Sequence, residues 1–204
     1  MTQICTGAIL AGGQSRRMGV PKEGVLLPDG RPMIEHVIAS LAAVCERVVI
    51  AGEARGYRND DLLRLPDLRP GLGPLAGIEA VLSSGLSDSY LIAACDQPFV
   101  TPELLLRLPD GGRAQPRCFR GEGGTGFHPF PCYFPASWLP RVREALDGGR
   151  LSMRALLGVN QPDWPPVTAE EADLLRSANR PADLGAMGAQ ASCLQVLGAN
   201  DHAH

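Results

Sequence analysis

The sequence predicts a single-domain α/β fold in three layers, with helices on both faces of a mostly parallel, Rossmann-like sheet. Three observations predict it. Two short apolar runs, Cys5–Leu10 and Arg47–Ala51, flank a stretch of helical periodicity, and strand, helix, strand in that order implies a right-handed parallel crossover. A third run, Ser89–Ala94, is apolar along its length, as strands covered on both faces are. The chain has 204 residues, enough to bury one core without a second.

The first strand, Cys5–Leu10, leads into Leu10-Ala-Gly-Gly-Gln-Ser-Arg-Arg-Met-Gly-Val-Pro-Lys22. Gly12 and Gly13 lack a Cβ, so the backbone there is free to take positive φ and to turn successive N–H groups toward an anion. Arg16, Arg17 and Lys22 add fixed positive charge, the guanidinium as a fork and the ammonium as a point charge. This is a candidate triphosphate cradle, against the plainer reading of a glycine turn with solvated basic residues. Gly19 is followed by Val20, Pro21 and Lys22, which excludes a Walker loop, and the spacing excludes a dinucleotide fingerprint.

Glu23–Leu27 and the turn residues Pro28–Pro32 read as a hairpin-like excursion. Met33–Cys45 reads as an amphipathic helix, in which His36 is a surface or packing residue. Leu62–Pro66 is a weaker third strand. In the loop that follows, Gly71, Gly73 and Gly77 permit tight turns and Pro70 and Pro74 stiffen them. Such a loop is suited to hold a flat base, with Asp67 accepting hydrogen bonds from a nucleotide; a turn or capping Asp is the alternative. A helix follows over Leu75–Leu82.

Ser89–Ala94 delivers Cys95-Asp96-Gln97-Pro98, and open α/β sheets bind ligands at such strand ends. A carboxylate there without a partner would be costly, which points to a divalent cation on Asp96. Capping of the next helix is the alternative, but Thr101 before Pro102 is the better cap. Arg113–Arg120 reads as a strand, Gly121–Gly126 as a loop, and Phe127–Phe134 as an edge strand, because prolines break a central ladder. His128 has no partner at ligand spacing and reads as structural. Helices are expected over Ser137–Leu146 with Ser137 as cap, over Leu151–Leu157, and over Thr168–Leu175 with Thr168 and Glu171 at capping-box spacing.

A net charge of −3 gives no global pull toward nucleic acid or anionic membrane, so neither is an expected partner. No apolar run approaches the ~20 residues of a membrane span, and a cytoplasmic monomer is expected. Cys5, Cys45, Cys95, Cys118, Cys132 and Cys193 form no C-x-x-C pair and read as reduced, mostly core residues.

Leu10–Lys22 resembles the L-A-G-G-x-S-x-R-M-G-x-x-K pattern of nucleotidyltransferases, specifically the molybdenum cofactor guanylyltransferases (the molybdopterin-guanine dinucleotide biosynthesis protein A family). Asp67 with Pro70–Gly77 is similar to that family's acidic residue and P-G-x-G-P-L-A-G loop, and Cys95–Pro98 to its C-D-x-P. Weaker likenesses follow at Gly126–Phe130, around Leu151–Leu157 and at Ser177–Leu184. The resemblance implies a nucleotidyltransferase domain over residues 1–187, with 188–204 as a tail.

It also implies transfer of GMP from GTP to molybdopterin with release of pyrophosphate, and transient contact with molybdoenzymes or cofactor-handling proteins. The implied catalytic residues are Arg17, Lys22 and Asp96. Leu10, Ala11, Gly12, Gly13, Lys22, Asp67, Gly73, Pro74, Leu75 and Asp96 are implied for the nucleotide, Arg17 and Asn179 for the acceptor, and Asp96 for Mg2+, the implied cofactor. Two departures stand out: the family's Asn after the second strand is absent from Ala51–Arg55, and Ser177 replaces another Asn. The alternatives are a CTP-dependent relative, whose loop reads L-A-A-G, a sugar-phosphate nucleotidyltransferase, and a non-catalytic cofactor carrier, against which the intact Lys22 and Asp96 speak.

Overall fold

The computed structural model describes residues 5–12, 22–109, 114–121, 126–158, 161, 163–178 and 183. Gly13, Arg16, Arg17, Asn179, Cys193 and the tail from 188 to 204 lie outside the described residues. Strands β1 (Thr6–Leu10), β2 (Arg47–Ala51), β3 (Arg64–Leu65), β4 (Ser89–Ala94), β5 (Arg117–Arg120) and β6 (Phe127–Pro135) form one sheet in the order β3-β2-β1-β4-β6-β5. The first four are parallel, while β6 runs antiparallel to both β4 and β5. The fold class is therefore as the sequence predicts.

Alternation along the strands explains the three layers. Ile9, Val48, Ile50, Leu91 and Ala93 face one core with Ile34, Val37 and Leu41 of αA (Met33–Ala42) and Leu104 and Leu105 of αC (Pro102–Arg107). Ala8, Val49, Tyr90 and Ile92 face the other. The helices αB (Pro74–Ser83) and αD (Leu139–Asp147) close the second core through Leu75, Ile78, Val142 and Leu146. Period-two side chains serve two cores because both faces are covered.

Local signals hold well. Thr101 accepts a hydrogen bond from the Leu104 N–H as cap of the Pro102–Arg107 helix. Thr168 and Glu171 form a reciprocal capping box on the Ala169–Leu174 helix, and Leu26 bridges to Pro32 in the excursion.

Two expectations are corrected. The Phe127–Pro135 strand is interior, between β4 and β5, because β4 pairs only with Cys132–Pro135, beyond Pro129 and Pro131. A register shift opposite Cys118 and Phe119 absorbs those prolines. Ser137 is no cap: the chain enters αD through a 3-10 turn over Ala136–Trp138, and a residue inside a turn lacks the extended backbone that a cap requires.

Candidate active site

The chain runs from β1 outward through β2 to β3, then returns to place β4 on the other side of β1. That reversal opens a crevice beyond the carboxyl ends of β1 and β4, where doubly wound sheets bind ligands. A cleft of about 480 Å³ lies there. The end of β1 supplies Leu10 and Gly12, the end of β4 supplies Cys95 and Asp96, and the loop into αB supplies Asp67, Gly73 and Pro74.

Backbone packing shapes its floor. The Ala11 N–H donates to the Ala51 carbonyl at 2.8 Å, and the Ala11 carbonyl accepts from Ala54 at 2.9 Å. Ala11 is fully buried, and both of its backbone polar groups tie the end of β1 to the end of β2 and the turn that follows it. Positive φ falls on Gly52 (+99°) and not on Gly12, which corrects the expectation at Gly12. A Cβ at Gly52 would stand 2.6 Å from the Ala11 carbonyl oxygen, so the close approach of the β2 end to the β1 end excludes any side chain. Gly77 serves similarly within αB, since a Cβ there would meet Leu10 Cδ2 at 3.0 Å.

The expected carboxylate without a partner has one. Lys22 Nζ donates to Asp96 Oδ2 at 3.3 Å, in a pair whose side chains are 20% and 17% exposed. Asp96 thus meets its desolvation with an ammonium brought from 74 positions away. The two groups form an anion-seeking and a cation-seeking centre side by side, the arrangement required by a polyphosphate with its metal ion.

Asp67 lines the same cleft. Burial pushes its carboxyl above the usual range, and repulsion from Glu53 adds to that. Burial also pushes the Cys95 thiol well up, with Asp96 and Glu23 adding to it and Lys22 opposing. The thiol therefore stays protonated at neutral pH and is no nucleophile.

The remaining placements are mixed. Leu75 turns its side chain into the second core, fully buried, while Pro74 and Gly73 stay on the cleft wall. His128 is half-buried, and desolvation lowers its pKa. His36 lies 3.2 Å from Asp29, away from the cleft lining. Sequence reasoning missed Glu23 and Phe130, both in the lining. Glu23 is 7% exposed and accepts from the Gly56 N–H at 3.1 Å; an acid directly behind Lys22 was the available signal. Phe130 also lines a second cavity of about 310 Å³ with Pro74, Phe127, Leu151 and Arg154, and the Arg154 guanidinium sits 6.0 Å over the Phe127 ring. Among the described residues, no group of three His, Cys, Asp or Glu side chains could hold a metal by itself.

The MobA-like NTP transferase domain matches residues 7–194. The chain belongs to this family. Its relatives include a probable molybdenum cofactor guanylyltransferase of Deinococcus radiodurans, 34% identical over 88% of this chain and 91% of the relative. A second, of Flavobacterium johnsoniae, is 32% identical over 76% and 81%. Among solved structures, molybdopterin-guanine dinucleotide biosynthesis protein A from Archaeoglobus fulgidus superposes with a TM-score of 0.70 at 25% identity, covering 93% of this chain and 99% of that one. As a member of the MobA-like family the chain is a nucleotidyltransferase, an enzyme class that generally uses a divalent metal. No helix among the described residues is long and apolar enough to cross a membrane.

Proposed function

We propose that this enzyme transfers GMP from GTP to the terminal phosphate of molybdopterin, forming the guanine dinucleotide cofactor and releasing pyrophosphate. The observation that carries the reading is the meeting of Lys22 and Asp96 at 3.3 Å in the crevice of a MobA-like fold. One acceptor oxygen bonds to the α-phosphorus of GTP, the bond from that phosphorus to the bridging oxygen breaks, and pyrophosphate departs with the electron pair. A phosphate monoester has a second pKa near ~6, so the acceptor is already a dianion at neutral pH and needs no general base. The chain's task is alignment and charge stabilisation.

Lys22 is assigned to the phosphates, and the Leu10–Gly13 segment to the nucleotide. Asp67 faces the cleft beside Gly73 and Pro74; a carboxylate only accepts, and guanine offers adjacent N–H donors. The donor set fits magnesium, which binds through one or two carboxylates together with substrate phosphates and water. Asp96 would hold it. Bound there, it supplies neutralisation of phosphate charge. Arg17 and Asn179 are assigned to the acceptor, and the second cavity adjoins the nucleotide cleft through Pro74 and Phe130. The reading is completed by a monomer with its nucleotidyltransferase domain in residues 1–187.

The test is pyrophosphate release with GTP or CTP, with and without molybdopterin. Release with GTP and acceptor is expected, and Asp96→Ala should abolish it while leaving the fold. Preference for CTP would replace the assignment with cytidylyl transfer, and magnesium-dependent turnover by Asp96→Ala would remove Asp96 from it.

A further inference from the structure

We infer that Glu79 is a positioning residue that sets nucleotide affinity by anchoring the Asp67–Pro74 wall of the cleft, an inference that rests on reading this wall as the base-binding side. Glu79 is 2% exposed in αB and is not part of the cleft lining. A carboxylate this deep needs compensating charge. It has two sources: Arg69 Nε lies 3.2 Å from Oε2, and Arg143 Nε of αD donates to Oε1 at 3.2 Å. Arg69 also donates to Asp147 of αD, and Arg143 to Ser83 Oγ at 3.2 Å.

Two carboxylates and two guanidiniums thereby tie the loop, αB and αD into one set of balanced charges. The loop depends on it. Among the described residues, no backbone–backbone hydrogen bond outside regular helices and strands involves residues 67–72, and Gly71 and Gly73 sit at positive φ. Arg69 stands two positions after Asp67, so its side chain determines where the Asp67 carboxylate and the turn at Gly71 stand in the cleft. Without the Glu79 charge, Arg69 keeps only its partly exposed contact with Asp147, whose side chain is 66% exposed.

The test is calorimetric titration of the wild type, Glu79→Gln and Arg69→Leu with two magnesium complexes, GTP and inorganic tripolyphosphate. Tripolyphosphate reaches the Lys22 and Asp96 centre but has no base to place against the wall. Both variants should bind GTP about tenfold more weakly, as small misplacements of binding groups do, with tripolyphosphate affinity unchanged. Unchanged GTP affinity in Arg69→Leu overturns the inference, as does an equal loss for both ligands, which would reduce Glu79 to general support of the fold. Should Glu79→Gln fail to fold, Arg69→Leu carries the test, because the Arg69 side chain is 32% exposed. Wild type that does not bind GTP overturns the underlying reading and the inference with it; wild-type binding with unchanged variants overturns the inference alone.

Discussion

At the scale of single residues, Asp67 holds its charge where folding disfavours it. Burial raises its pKa and Glu53 raises it further. The folded chain therefore binds more protons than the unfolded one between the ordinary carboxylate pKa and the raised one. Stability falls as pH rises through that window, and the penalty is fully present above it. Asp67→Asn should thus melt higher than the wild type at neutral pH and lose that advantage below about pH 4, where both states are protonated. Asp67 is partly open to solvent, so the gain should stay under about 1 kcal/mol. The same variant should bind GTP more weakly. Melting curves across pH, with and without GTP, check both outcomes; a gain confined to acid pH would contradict the sign.

At the scale of elements, the ends of β1 and β2 are locked where Gly52 passes under the Ala11 carbonyl. Gly52→Ala must leave a φ of +99° or push against that oxygen. It should destabilise the fold by about 2–4 kcal/mol, measured by urea denaturation, and disturb Leu10 and Gly12 in the cleft. A stability equal to the wild type would show that the two ends separate freely. By contrast, Thr168→Ala should lose only about 1 kcal/mol, the usual worth of an N-cap, because its helix is short and lies outside the cleft lining. Capping was legible in the sequence: Thr168 and Glu171 satisfy each other across three positions. The place of the Phe127–Pro135 strand was not. Proline marks a lost ladder hydrogen bond, but only the pairing with β4 shows that Cys132–Pro135 escape the break.

At the scale of the whole molecule, the charges that matter come from distant segments. Asp96 is the proposed protein ligand for the cation, and magnesium completes its shell with phosphates and water. It should therefore join the enzyme with the nucleotide. A chelator should abolish pyrophosphate release without changing the melting temperature of the empty protein. Magnesium and GTP together should stabilise it by about 2.7 kcal/mol at a hundredfold excess over Kd. Stabilisation by magnesium alone would place the ion in a site made by the protein itself.

The sequence by itself determined the strand and helix alphabet, the parallel crossover, the caps and the family, because each is carried by local patterns, a turn, a strand or a loop at a time, and by their order along the chain. Only the tertiary structure decided that Lys22 neutralises Asp96, that Gly52 and not Gly12 takes the strained backbone, and that Glu79 gathers Arg69 and Arg143. Those outcomes depend on which strand ends become neighbours and on how closely backbones approach, and both are settled by packing two cores against one sheet.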